Sequence, residues 1–457
     1  MDNPFLTESP AKLYAKFLPS AVIGLLITCI ASLVDSVVVS NFLGPVALSA
    51  VNICMPIFSV ITALAMLLIG GACTMYSSYM GQNKQEQAQK TFTLATVVLI
   101  IVGVAYSVVG ILFPGEVVRF LGANDAVFDF ARDYASVLFW FTLANILFLL
   151  LLSFLRIDLR PSLTVVGVVS CALVNAVLDV VFVGPMGLGM QGAAAATGIA
   201  YVVGVLVMAT HFFSKKCGLR FVKGFFSGKE LGAMAVTGAP GAVAMFGTAI
   251  ATVTFNNYII TTGEYLLPGW GVGELYVSVY SVVTQVLTVS MAVYMGIAQC
   301  AQPMIAANFG AGRKDRIKVL YQTGLKLEVI ANLVLMVVLF FAARFIAGAF
   351  SMNKGVVDMT DTAVFAIRIF SLSLVFTGVN QMVQYLLQSV NAVRQSTVIS
   401  LLAGTILLIA GLLFLSEVVF PLHEKALGIW LSYAFANALT MVYCFFVMRK
   451  KKQELFG

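Results

Sequence analysis

The run YAKFLPSAVIGLLITCIASLVDSVVVS, residues 14–40, decides the fold. From Phe17 to Val34 it carries no charge. An uncharged apolar stretch of about 18 residues is long enough to cross a bilayer as a helix. Eleven more runs of this kind follow. Read between charged or Gly/Pro punctuation, the spans are 14–40, 45–78, 91–113, 127–153, 162–183, 191–213, 235–262, 273–307, 318–349, 358–388, 396–420 and 426–448. Runs above roughly 30 residues must tilt, bend or continue past the bilayer. The composition agrees. The 457 residues are 60% hydrophobic and 10% charged, with a mean hydropathy of +0.99. Soluble chains carry about 25% charge, and their surfaces cannot absorb so much apolar sequence. The expected class is an all-α polytopic membrane protein of twelve spans, monomeric, with the lipid bilayer as its surroundings.

The basic residues set the expected orientation, because cytoplasmic loops collect Lys and Arg. Of 27 basic residues, 21 fall on one side. They lie around Lys12 and Lys16, Lys84 and Lys90, Arg156 and Arg160, residues 215–229, residues 313–326, Arg394 and residues 449–452. Arg119, Arg132, Arg344, Lys354 and Lys425 fall on the other, and Arg368 lies inside a span. Both termini are therefore expected in the cytoplasm of a plasma membrane, of the bacterial inner-membrane kind. The net charge of +7 reads as topology, with no nucleic-acid partner. The seven cysteines are scattered through apolar runs without a CxxC, and we read them as small packing residues rather than a disulfide or metal framework. The first apolar run is too long for a signal-peptide core.

The chain also repeats. Ser78-Tyr-Met-Gly-Gln-Asn-Lys84 after span 2 resembles Asn308-Phe-Gly-Ala-Gly-Arg-Lys314 after span 8, with Gly81 and Gly310 229 residues apart. Arg160-Pro-Ser maps to Arg394-Gln-Ser at 234, and Gly192 to Gly428 at 236. This spacing predicts two six-helix lobes, residues 1–213 and 231–457, joined by a basic cytoplasmic linker, 214–230. An even number of spans per lobe gives both the same orientation, related by a pseudo-two-fold along the membrane normal.

Charges inside a bilayer cost at least ~2.5–3.5 kcal/mol at a helix centre and are functional suspects. Asp35, Asp179 and Arg368 lie well inside spans, while Glu328 sits nearer a cytoplasmic end. Counted at 1.5 Å per residue, Asp35 lies roughly 9 Å below the outer end of span 1, Asp179 roughly 7 Å below that of span 5, and Thr197 roughly 9 Å down span 6. Asn175 precedes Asp179 by one turn on the same face. Three spans thus place two carboxylates, an amide and a hydroxyl at similar depth. These hard oxygens suit Na⁺, and paired carboxylates can instead share a proton. Either would offset two buried negative charges, so Asp35, Asn175, Asp179 and Thr197 form a candidate Na⁺ or H⁺ coupling site. The alternative is that each acid only fixes packing through a neighbouring hydroxyl or backbone group. The second half has no matching acid pair. It offers Asn256, Asn257, Gln285, Gln381, Gln384 and Gln388, which either line a substrate cavity or bind helices together. The 19 Met and 35 Phe suit an adaptable apolar cavity, although most belong to packing or face lipid. Arg368 reads as a snorkelling or paired cation. No enzyme signature stands out. The only histidines are His211 and His423, and no GxxxxGK[ST] loop encodes an ATP-driven engine.

Taken together, the motifs resemble the multidrug and toxic compound extrusion (MATE) family over nearly the whole chain. The resemblance rests on Leu33-Val-Asp-Ser-Val-Val-Val-Ser-Asn-Phe-Leu-Gly44-Pro45, on Ala47-Leu-Ser-Ala-Val51, on the Gly81 loop and on Arg156 to Pro161. Its most specific part is Leu173-Val-Asn-Ala-Val-Leu-Asp179 followed by Gly189-Met-Gln-Gly-Ala-Ala-Ala-Ala-Thr197. It implies a V-shaped pair of lobes and export of small-molecule organic cations and drugs in exchange for Na⁺ or H⁺, with no cofactor besides that coupling ion. Asp35, Asn175, Asp179 and Thr197 match the first-lobe cation site of the DinF-like branch. The NorM-like branch also uses acids in helices 7 and 10, whereas this chain has none inside helix 7 and none deep in helix 10. In some relatives helix 1 is proposed to bend at a proline when the site is protonated, and Pro19 is the candidate for that role here. Competing expectations are a flippase for lipid-linked oligosaccharide, which would favour a strongly cationic cavity, and a channel, which would show uncoupled, unsaturable flux.

Overall fold

The structure is a computed structural model that describes residues 3–456 except 124, 126, 267–271, 351–358 and 421–424. Lys354, His423 and the side chain of Lys425 lie outside the described residues. Everything described is helix or connection. The first part runs α1 (Pro4–Thr7), α2 (Pro10–Leu43), α3 (Pro45–Gly81), α4 (Gln85–Leu112), α5 (Pro114–Phe120), α6 (Phe128–Trp140), α7 (Thr142–Ile157), α8 (Pro161–Val183) and α9 (Gly189–Ala209). The second runs α10 (Gly228–Leu266), α11 (Val272–Gly310), α12 (Lys314–Ala349), α13 (Thr360–Ser371), α14 (Leu374–Ser389), α15 (Val393–Leu401), α16 (Leu407–Phe414) and α17 (Lys425–Phe456). Prolines open α1, α2, α3, α5 and α8, where the missing N–H has no intrahelical partner to lose. Pro19 lies inside α2, which continues through it.

Among the described residues eleven helices are long and apolar enough to cross a membrane, or twelve when α6 and α7, bent by 54° at Phe141, count as one span. They fall on the twelve expected runs and lengthen several. The 39 residues of α10 measure about 58 Å, nearly twice a hydrocarbon core of about 30 Å, so this helix continues into the polar phase.

The chain divides into two compact units, Ala15–Gly238 and Met1–Tyr14 with Ala239–Gly457. In the first, the segment between α9 and α10 packs down. The Gly218 amide donates to Asp158 (2.8 Å), which also meets His211 Nε2 (2.5 Å), and the Val222 amide donates to Thr93 Oγ1 (3.2 Å). Close helix packing depends on two glycines. A Cβ on Gly71 would stand 1.9 Å from the Met234 carbonyl oxygen, and one on Gly238 1.7 Å from that of Leu67. Small residues permit such approaches where lipid supplies no hydrophobic drive between helices. In the second unit, Asn308 and Arg316 tie α1 down through the carbonyls of Phe5 and Glu8.

The repeat is visible in the backbone. After α3, Asn83 is left-handed (φ 59°) and Lys84 N–H reaches the Tyr79 carbonyl; after α11, Gly312 is left-handed (φ 70°) and Arg313 N–H reaches that of Asn308. Leu159 (φ 62°) and Asn391 (φ 59°) are left-handed in the same way before α8 and α15. That second pair aligns Arg160 with Ala392, an offset of 232, rather than with Arg394. Similar Arg-x-Ser wording misplaces the register by two residues. The Gly192-to-Gly428 offset of 236 equals that between the starts of α9 and α17.

Candidate functional site

Asp35 lies on α2, Asn175 and Asp179 on α8, and Thr197 on α9. α8 and α9 pack along their length. At the C-terminal end of α8, Gly184 lies under the Phe42 ring of α2, whose nearest atom stands 3.0 Å from the place a Cβ would take. This packing brings the four side chains together. Asp179 is fully buried (0% exposed), Asn175 is 7% and Asp35 9% exposed. The two carboxyl groups face each other across the helix pair. Asn175 Nδ2 donates to Thr197 Oγ1 (3.4 Å), and that hydroxyl donates to the Ala193 carbonyl (3.2 Å).

Both carboxylate oxygens of Asp179 and Oδ1 of Asp35 are buried without a hydrogen-bond donor among the described residues. No Lys, Arg or His pairs with either acid among them. Two facing carboxyl groups, three of whose four oxygens are buried without donors, call for a positive charge. A shared proton or a hard monovalent cation fits this donor set, and Asn175 and Thr197 add further oxygens at its edge.

Two neighbours, Tyr134 and Tyr201, were not singled out in the sequence. Tyr134 of α6 is fully buried and faces both acids. Tyr201 of α9 faces Asp35 and lies against Asn145 of α7. A small, mostly apolar cleft opens beside them, lined by Ile57, Phe58, Phe141, Asn145, Gly198 and Tyr201. Gly198 lets the Phe141 ring close on α9, since a Cβ there would meet that ring at 2.0 Å. The spacing of Tyr201 one turn after Thr197 was the available signal.

The predicted polar set of the second half is dispersed. Asn257 and Gln285 are exposed, Asn256 and Gln381 half-buried, and Gln384 and Gln388 buried on α14. Arg368 stacks on Phe340 (4.9 Å to the ring centroid) and donates to its carbonyl (3.1 Å), as a snorkelling cation does. The second unit also buries an acid that the sequence places nearer one end of its span. α12 starts at Lys314 and buries Glu328 completely (0% exposed), two-fifths of the way along the helix.

This architecture defines a polytopic α-helical membrane protein with the twelve-helix, two-lobe fold of MATE transporters. The MatE family model matches residues 19–181 and 265–413, more than half of the chain, and the chain belongs to that family. It is 24% identical over 366 residues to the multidrug export protein MepA of Staphylococcus saprophyticus, covering 79% of this chain and 77% of that one. With MepA of Staphylococcus aureus strain N315 it shares 22% over 380 residues, covering 82% and 80%. Among solved structures it matches a multidrug resistance MATE family transporter of the MOP superfamily in an outward-facing conformation, at a TM-score of 0.90 and 21% identity over 99% of this chain and 98% of that one. A MATE in complex with MaL6 matches at 0.91 and 21%, over 100% and 99%.

Proposed function

We propose that this chain is a secondary active antiporter that exports organic cations or drugs, driven by Na⁺ or H⁺ bound between Asp35 and Asp179. The observation that carries the reading is the buried acid pair, with both Asp179 oxygens and one of Asp35 lacking donors. The relatives named for multidrug export supply the cargo class. Without a bound ion the pair holds like charges in a dry site, and with one it is neutralised, so ion binding and helix arrangement are linked. Because the acids sit on α2 and α8, any shift between these helices changes the gap and hence the affinity. That is the coupling alternating access requires. The residue pattern supports the DinF-like branch, with both termini cytoplasmic and the chain working as a monomer in a bacterial inner membrane.

The test is efflux from proteoliposomes under separately imposed Na⁺ and pH gradients. Asp35→Asn and Asp179→Asn should insert normally and lose gradient-driven efflux. Full ion-driven efflux in both would overturn the reading. Arg368, engaged at the Phe340 carbonyl, is a poor anchor for pyrophosphate, which weakens the flippase alternative. Measured headgroup translocation would revive it.

A further inference from the structure

The unit formed by Met1–Tyr14 and Ala239–Gly457 holds a buried acid of its own. Glu328 on α12 is 0% exposed, as is Asn332 one turn later. Asn332 Nδ2 donates to both the Glu328 backbone carbonyl (2.8 Å) and Oε2 (2.9 Å). Those two bonds fix the amide and turn its oxygen away. Glu328 Oε1 and Asn332 Oδ1 are then two buried acceptors without a donor among the described residues. The surroundings are built tightly around them. A Cβ on Gly378 of α14 would meet Asn332 Nδ2 at 2.5 Å and Glu328 Oε2 at 2.9 Å. One on Gly324 would meet Tyr14 Oη at 2.3 Å and Met382 Cε at 2.6 Å.

The facing groups supply no counter-charge. From α2, Tyr14 faces Glu328 but donates to the Leu320 carbonyl (3.1 Å). From α11, Tyr294 faces it, with Cys300 beside Tyr14. From α17, Tyr433 stands behind Tyr294. α14 presents Gly378, and the one basic residue of α13, Arg368, is held at Phe340, twelve residues further along α12. No Lys, Arg or His forms an ion pair with Glu328 among the described residues. A bare carboxylate in such a place is costly. A hard cation needs more oxygen ligands than these two atoms on one helical turn provide. A proton on Glu328 Oε1 needs no such ligand shell, and it removes the buried charge while Oε2 keeps the Asn332 amide.

We propose that Glu328, partnered by Asn332, is a second proton-binding site of this transporter, separate from the Asp35–Asp179 pair and exchanging its proton with bulk water during the cycle. The proposal rests on the reading of the chain as an ion-driven exporter. Both groups are on one helix, so a rigid shift of α12 leaves the pair intact. Its proton affinity changes when α14, Tyr14 or Tyr294 of α11 moves against it.

Infrared titration of the purified protein, with no cargo added, tests this. The C=O stretch of one protonated carboxyl group should vanish as pH rises and be absent throughout in Glu328→Gln. It should persist in Asp35→Asn and Asp179→Asn, whose efflux tests the other site. Gly378→Ala, which keeps the acid but pushes on the pair, should shift the frequency and midpoint of that band, and it serves if Glu328→Gln does not fold. In proteoliposomes, efflux by Glu328→Gln should vary with pH less than half as steeply as wild type. Full wild-type carboxyl absorption in Glu328→Gln, a band that never titrates, or a band unmoved by Gly378→Ala would overturn the proposal. If the band behaves as expected while both Asp variants still transport, the Asp35–Asp179 reading fails and this one stands.

Discussion

Asp179 and Glu328 are both completely buried acids, one in each unit, and they are held in opposite ways. Asp179 faces another carboxyl group on a different helix. Glu328 accepts from an amide on its own helix, one turn away. A pair split between helices reports their separation, and a pair within one helix does not. The first arrangement suits an element that must feel the movement of helices. The second suits a local charge store that answers to whatever packs on top of it. Two units that repeat each other in backbone, down to the left-handed residues before α8 and α15, therefore differ in what their buried acids can sense.

The largest test of this contrast removes one acid of the split pair. Asp179→Asn or Asp35→Asn should lower ion-driven efflux at least roughly a hundredfold, ~2.7 kcal/mol in coupling, measured in proteoliposomes at matched protein insertion. Next comes the edge of the site. Asn175→Leu or Thr197→Val removes one neutral oxygen and the Asn175–Thr197 hydrogen bond, and should cost about 1 kcal/mol, roughly fivefold, in apparent ion affinity. That effect should be seen in the ion dependence of efflux and not in its maximum rate. Gly184→Ala presses on the Phe42 ring and should separate α2 from α8 without touching an acid. A loss of roughly threefold in efflux, with thermal stability in detergent down by about 1 kcal/mol, would show that the gap between helices matters. Unchanged coupling would break the contrast. The smallest effect is expected at Gln285, which is exposed in the second unit. Gln285→Ala should leave ion coupling as it is and alter apparent drug affinity by less than about twofold, consistent with a surface substitution.

Much of this was legible in the residues. An apolar run such as 14–40 has one stable answer in lipid, because a helix satisfies its own backbone. The spans, the repeat and the positions of Asp35 and Asp179 follow from that periodicity. The linker, read as a basic tether, is tied to the first unit by Asp158 and Thr93, contacts too distant in sequence to be seen there. The burial of Glu328 was hidden for a related reason. Lys318 and Lys326 lie close before it and make its flank look like a polar end, yet α12 buries that face against α11 and α14 while its lysines point elsewhere.

The amino-acid sequence by itself determined that this chain spans a membrane about twelve times, repeats once, and carries a few acids where acids are expensive. Hydropathy and helical rise are local quantities, and local quantities can be counted along a chain. Tertiary structure alone decided which acids meet and what they meet. It set Asp179 against Asp35 in a buried site, put Tyr134 and Tyr201 at their side, and closed Gly378 over Glu328 and Asn332. Those outcomes depend on how helices far apart in sequence cross, and on the few ångströms that a missing Cβ allows.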